Sequence, residues 1–136
     1  MTETSSHPTA LSPVPATFRF LVELAALMAW AIVGWRLLDG AASWLGSIAL
    51  PAAAATLWGL FRVPGDQSAG SDGAIPVPGP LRLAVEVVVL LGAAFALAVA
   101  WSPLAGALLA VAVLAQGAST ARRLRWLVSG EANAPI

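Results

Sequence analysis

Four long apolar runs separated by short polar breaks dominate the pattern along the chain. A helix needs about 20 mostly apolar residues to cross a bilayer, and each run comes close to that length. The runs are too long for strands and lack the alternation of half-buried strands. A helix also satisfies its own backbone hydrogen bonds inside lipid. The predicted spans cover residues 18–38, 44–61, 81–101 and 103–126.

The polar breaks predict how the chain is organised. Residues 1–16 are expected to form a disordered tail and not a signal peptide, because no basic stretch precedes an apolar run there. Residues 17–62 are predicted to form a first helical hairpin, and residues 81–127 a second one. Gly, Pro, Asp and Ser mark residues 63–80 as a flexible loop between them, and residues 128–136 form a tail.

Composition supports a membrane protein and excludes several chemistries. The chain has 136 residues, of which 59% are hydrophobic and 10% charged, whereas a soluble domain carries about 25% charged residues. Its net charge of zero provides no basic surface for nucleic acid. Cysteine is absent, which excludes disulfides and thiol nucleophiles, and the single histidine, His7, lies in the N-terminal tail. We therefore predict no metal site and no cofactor.

The arginines predict the orientation of the spans. In a four-span arrangement six of them fall on one side: Arg19, Arg62, Arg82, Arg122, Arg123 and Arg125. Only Arg36 falls on the other side. Cytoplasmic loops carry the excess of basic residues, so both termini and the long loop are predicted to be cytoplasmic.

The first and third spans begin with the same motif, which suggests an internal repeat. Arg19 precedes Glu23 by four residues, and Arg82 precedes Glu86 by four residues, at an offset of 63. A two-span unit returns to its starting side, so a tandem copy keeps the same orientation. The predicted fold is an all-α four-transmembrane-helix bundle, built by parallel duplication of a two-helix hairpin.

Each predicted span places one polar side chain at a similar depth near its cytoplasmic end: Glu23, Thr56, Glu86 and Gln116. In a structural interpretation, each acid pairs with the arginine four residues before it, as Arg19 with Glu23 and Arg82 with Glu86. In a functional interpretation, the two acids share a cavity with Gln116 and Thr56. Such a cavity would bind a cation, exchange protons or hold a cationic substrate, because charged groups inside spans usually mark functional sites.

A set of short motifs resembles the YrdB-like family of short bacterial four-span proteins. The motifs are Arg19-Phe-Leu-Val-Glu23, Gly34-Trp35, Pro51, Leu57-Trp58-Gly59, Pro64 and Leu81-Arg-Leu-Ala-Val-Glu86. The resemblance extends from about residue 18 to residue 125. It implies a bacterial inner-membrane protein with both termini cytoplasmic, and it implies no activity, because the family has no known function.

Two functions follow from these patterns and stay open at this point. The first is a small ion or proton-coupled channel or transporter. It would use the polar side chains at similar depth near the cytoplasmic side, Glu23, Thr56, Glu86 and Gln116, which we call the acidic layer. The alternative is a structural or accessory subunit of a larger membrane complex. In either case the partners are the lipid bilayer and further copies of the chain or other membrane subunits. An enzyme is not expected, because the spans lack a phosphate loop and a nucleophile elbow.

Overall fold

The structure is a computed structural model that describes residues 8–64, 66 and 75–129. These residues form five helices: α1 (Pro13–Leu37), α2 (Ala42–Leu60), α3 (Gly79–Ala100), α4 (Pro103–Ser119) and α5 (Ala121–Val128). Two strands of two residues each, β1 (Phe61–Arg62) and β2 (Ile75–Pro76), pair in parallel between α2 and α3. The described residues are therefore mainly helical, and this short strand pair is the β structure among them.

Three of these helices, α1, α2 and α3, are long and apolar enough to cross a membrane. The α4 and α5 helices meet the same criterion only together, and they are bent by 76° at the break between them. The protein is thus an all-α membrane protein with three candidate spans, or four if the bent pair forms one. This outcome confirms the predicted fold class at the level of helices and membrane insertion.

Several predicted boundaries differ from the structure. The fourth helix does not continue to Trp126, because it ends at Ser119 and Thr120 leaves the helical conformation. The first helix begins at Pro13, so residues 13–16 are helical although they were predicted as tail. Proline fixes a helical φ and its missing N–H costs nothing at the first helical position. Residues 1–7, 65, 67–74 and 130–136, which hold the rest of the tails and loop, lie outside the described residues.

The main core lies where α1 packs against α3 and α3 packs against α4. Its members are small or branched apolar residues: Val22, Ala26, Ala29, Leu90, Ala93, Ala94, Leu97, Leu109 and Val113. Trp30 donates its indole N–H to the backbone oxygen of Val89 at 3.0 Å and so joins α1 to α3. Alanine and glycine at these contacts bring the helix backbones close together.

Glycine contacts set the spacing within each helical pair. A Cβ atom added at Gly34 of α1 would lie 2.0 Å from the backbone oxygen of Gly46 in α2. One added at Gly106 of α4 would lie 2.4 Å from the Cβ atom of Ala98 in α3. Larger residues at Gly34 or Gly106 would therefore force the paired helices apart.

A second, smaller hydrophobic core packs α5 against the residues of and next to the two short strands. It consists of Val63, Val77, Trp126 and Leu127, with Phe61 packed against it. A Cβ atom on Gly79, at the start of α3, would lie 2.0 Å from the backbone oxygen of Leu127. This packing places α5 beside the first turn of α3, where the charged residues of the chain gather.

A buried ion-pair cluster as the candidate functional site

Six charged side chains meet at the end of the helices where α1 and α3 begin. We refer to them as the charged cluster, which comprises Arg19, Glu23, Asp66, Arg82, Glu86 and Arg123. They come from α1, the segment after β1, α3 and α5. All except Glu23 are buried. Three arginines and three acids make the cluster neutral, and desolvated charges require that kind of pairing.

Glu86 lies at the centre of the charged cluster, and three arginines bind its carboxylate. Arg123 donates from Nη1 to Oε2 at 2.9 Å and from Nη2 to Oε1 at 2.6 Å. Arg82 donates from Nε to Oε1 at 3.1 Å, and Arg19 approaches the same oxygen at 3.4 Å. Both carboxylate oxygens therefore already accept hydrogen bonds from within the chain.

Arg123 joins Glu86 to the segment after β1 through a second acid. Its Nε and Nη2 atoms donate to Oδ2 of Asp66 at 3.0 and 2.6 Å. Arg123 lies on α5, past the last long apolar helix. Burial alone would lower the pKa of Arg123, but the charge of Glu86 and the hydrogen bonds to both acids hold that pKa above its ordinary value. Arg123 is consequently a permanent cation between two carboxylates.

Arg82 connects the charged cluster to the end of α2. Its Nη1 atom donates to the backbone oxygen of Trp58 at 2.6 Å and also to the backbone oxygen of Phe61. The last carbonyls of a helix lack partners within the helix, so a guanidinium group is a suitable donor there. The Cζ atom of Arg82 also lies 4.6 Å from the centre of the Trp58 ring, which is cation–π distance.

Arg19 completes the charged cluster from α1. Its Nε atom donates to Oε1 of Glu23 at 2.8 Å, and its Cζ atom lies 5.7 Å from the centre of the Trp58 ring. Among the described residues, two buried guanidinium nitrogens have no hydrogen-bond partner, Nη1 of Arg19 and Nη2 of Arg82. Both arginines thus have one guanidinium nitrogen without a hydrogen bond, and both pack against the indole ring of Trp58.

The structure brings together the pairs of the structural interpretation. Arg19 contacts Glu23 and Arg82 contacts Glu86, in both cases from Nε to Oε1. Trp58 provides the ring against which both Arg19 and Arg82 pack. Each i, i+4 pair thus lies within one helix, the first in α1 and the second in α3.

Two cavities lined by described residues contain different members of the four predicted polar residues. Glu86 and Gln116 line one cavity of about 230 Å³, whereas Glu23 lines another of about 180 Å³ together with Trp58 and Arg62. Thr56 is exposed on α2 and donates to the backbone oxygen of Ala52 at 2.7 Å. Gln116 approaches the hydroxyl oxygen of Thr120 at 3.5 Å. Thr56 therefore faces away from the other three.

Sequence reasoning missed two members of the charged cluster, Arg123 and Asp66. Arg123, Trp126 and Leu127 are the buried residues of α5, and their i, i+3, i+4 spacing is the pattern of one helix face. That spacing is visible in the sequence, but it indicates an inward-facing Arg123 only once the bend after α4 is known. Asp66 follows a short strand in a loop, and no spacing rule marks it. No group of three His, Cys, Asp or Glu side chains in the described ranges could hold a metal ion.

Comparison with known families identifies the chain. A family model described as "Protein of unknown function (DUF2568)" matches residues 17–114. The chain belongs to this family. The DUF2568 match includes every member of the charged cluster except Arg123, which lies beyond its end.

A curated relative agrees with the DUF2568 assignment. The chain is 27% identical over 111 residues to the "Uncharacterized protein YrdB" of Bacillus subtilis (strain 168), covering 82% of this chain and 90% of that protein. This similarity confirms the resemblance found in the sequence. No solved structure matches the chain. Neither the family description nor the relative's name assigns an activity, so a function must be inferred from the site.

Proposed function

We propose that the protein is a four-span membrane bundle that acts as a structural or accessory subunit of a larger membrane complex, without catalytic activity of its own. In this proposal α4 is the fourth span and α5 lies at the membrane surface. The 17 residues of α4 extend about 26 Å, close to the thickness of a hydrocarbon core. The three arginines of α5 disfavour its insertion into lipid. Both termini and the long loop are cytoplasmic in a bacterial inner membrane.

The observation that carries this proposal is that arginines donate hydrogen bonds to both carboxylate oxygens of Glu86. Arg123 alone occupies one lone pair on each carboxylate oxygen, and Arg82 adds a third hydrogen bond. A cation that entered would have to displace a guanidinium group from a buried, charge-balanced pair. Removing one member of such a pair leaves an uncompensated buried charge, which costs about 3–5 kcal/mol. The arrangement is therefore suited to holding helices together and poorly suited to exchanging ions.

The duplicated hairpin belongs to the same proposal. At the offset of 63 residues, the pair Arg19–Glu23 corresponds to Arg82–Glu86, and both pairs use the same donor and acceptor atoms, at 2.8 and 3.1 Å. Both arginines also reach the Trp58 ring. This equivalence supports two parallel copies of one hairpin, of which the second has acquired the additional partner Arg123.

Purification from the native membrane tests the accessory role. We expect the tagged full-length chain, extracted in mild detergent, to co-purify with a membrane subunit at fixed stoichiometry. Arg123→Gln should lose that complex, because it disrupts the charged cluster, while Arg125→Gln, an exposed change on the same helix, should keep it. A wild-type particle that contains only the 13.8 kDa chain would contradict the proposal.

A second candidate, ion or proton-coupled transport, is favoured by the environment of Glu23. The Glu23 side chain is 26% exposed and has one arginine partner in the charged cluster, whereas that of Glu86 is 9% exposed with three. Glu23 also lines the cavity of about 180 Å³ next to Trp58 and Arg62. If the chain moves cations or protons, Glu23 is the acid that a solute can reach.

Flux measurements in reconstituted vesicles separate the two candidates. The accessory role predicts no proton or potassium flux above that of empty vesicles. Transport predicts flux in the wild type that Glu23→Gln abolishes at normal folding. Glu86→Gln serves as the comparison, since it should disturb stability without a selective effect on flux. Flux that persists unchanged in both variants would rule out the acidic layer as the pathway.

A further inference from the structure

The short helix α5 has two faces with different surroundings. Arg123, Trp126 and Leu127 are buried against the charged cluster and the second core. Arg122 and Arg125 lie three residues apart on the same side of the helix, and both are exposed. Arg123 binds Glu86 and Asp66 on the buried side, and the exposed arginines of α5 are Arg122 and Arg125.

The direction of α5 differs sharply from that of α4. The helix is bent by 76° from α4, so it runs nearly across the end of that helix. If α4 lies along the bilayer normal, α5 lies nearly in the plane of the headgroups. The opposite end of the molecule differs, because its only arginine is Arg36, three residues before Asp39.

A cavity beside the exposed face offers space for a headgroup. Its volume is about 530 Å³, and it lies between residues 8–15 and the corner where α4 meets α5. Its polar lining includes the side chains of Ser12, Ser119, Thr120 and Arg122. Its hydroxyl groups and the Arg122 side chain provide hydrogen-bond donors for a phosphate group, beside an otherwise apolar lining.

We propose that the exposed face of α5, formed by Arg122 and Arg125, binds the headgroup of an anionic phospholipid. Charge complementarity identifies the occupant, since clusters of basic residues at the membrane surface are attracted to anionic lipids. A guanidinium group presents several N–H donors that match phosphate oxygens in pairs. The buried face fixes the helix, so the two arginines are held in place before a lipid arrives.

Spin-labelled lipids provide the test in reconstituted full-length protein. The measurement is the fraction of labelled phosphatidylglycerol held at the protein surface, compared with labelled phosphatidylcholine in the same bilayer. We expect a preference for phosphatidylglycerol of roughly fivefold, the equivalent of about 1 kcal/mol for a basic residue near the surface. Added salt should reduce the preference.

Substitution of the two exposed arginines tests whether the preference for phosphatidylglycerol arises from α5. Arg122→Gln combined with Arg125→Gln should bring the two lipids close to equal binding. Arg36→Gln is the matched control, because it removes one exposed arginine at the opposite end and should leave the preference unchanged. Near-ultraviolet circular dichroism checks that each variant remains folded, and single variants replace the double one if it does not.

Three outcomes would overturn the proposal. One is equal binding of the two lipids by the wild type, and another is a preference that survives in the folded arginine variants. The third is displacement of phosphatidylglycerol by inorganic phosphate but not by chloride at equal ionic strength. That last result would assign the face to a small soluble anion instead of a lipid headgroup.

Discussion

Arg123 holds both carboxylate oxygens of Glu86, although the two residues lie 37 positions apart in the chain. Glu86 is in the second turn of α3, and Arg123 comes from α5 beyond the bend after α4. Arg123 also binds Asp66, next to the loop between the two helical pairs. One side chain therefore ties three distant segments together at the same end of the molecule.

Arg123→Gln is expected to destabilise the protein strongly. The change leaves Glu86 and Asp66 buried without their main cationic partner, and breaking a buried ion pair costs about 3–5 kcal/mol. Arg125→Gln, two residues further along and exposed, should change the free energy of unfolding by no more than about 0.5 kcal/mol. Denaturant titration in detergent micelles measures both values. Equal losses for the two variants would mean that the charged cluster does not stabilise the fold.

The paired acids on α1 and α3 could be predicted from the sequence. Side chains four residues apart share a helix face, so Arg19 and Glu23, like Arg82 and Glu86, were bound to meet once the helices formed. The four apolar runs were equally visible, because lipid requires long uninterrupted helices. Local spacing thus predicted the helices and four of the six members of the charged cluster.

The other two members, Asp66 and Arg123, depend on contacts that local spacing does not encode. Whether Arg123 points to lipid headgroups or to Glu86 depends on the bend after α4, and an apolar run with a basic end is compatible with either outcome. The same bend separates Trp126 from the apolar run that was predicted to include it. Thr56 differs for another reason. A similar depth along the helices does not by itself place a side chain on the inner face of its helix, and Thr56 is exposed.

Trp58 is expected to stabilise the charged cluster through its ring. Arg82 lies 4.6 Å and Arg19 5.7 Å from its centre, and a desolvated cation–π contact is worth about 2 kcal/mol. Trp58→Leu keeps an apolar side chain but removes the π face, so it should lower the free energy of unfolding by about that amount. Trp101→Leu is the control, because Trp101 is 51% exposed. The same unfolding titration should give a clearly smaller loss for Trp101→Leu, and an equal loss would contradict the cation–π assignment.

Gly34→Ala and Gly59→Ala should have opposite effects on stability. A methyl group at Gly34 would lie 2.0 Å from the backbone oxygen of Gly46, and overpacking of this kind costs about 1–3 kcal/mol. A methyl group at Gly59 meets nothing within 4 Å, and alanine is favoured over glycine in a helix by about 0.5–1 kcal/mol. Thermal unfolding of the two variants in the same detergent shows whether each substitution raises or lowers the stability. Stabilisation by Gly34→Ala would show that α1 and α2 are not in backbone contact there.

Labelling of single cysteines tests the proposed topology. The chain contains no cysteine, so each introduced thiol reports one position without interference. Asp39→Cys lies between α1 and α2, and Ser129→Cys follows α5; both positions are exposed. With α1 to α4 as four spans and the arginine-rich end in the cytoplasm, a membrane-impermeant maleimide added to intact cells should label Asp39→Cys only. Labelling of Ser129→Cys should appear after the membrane is opened. Labelling of both positions in intact cells would place them on the same side of the membrane. An even number of spans would then separate them, and α4 would not cross the membrane.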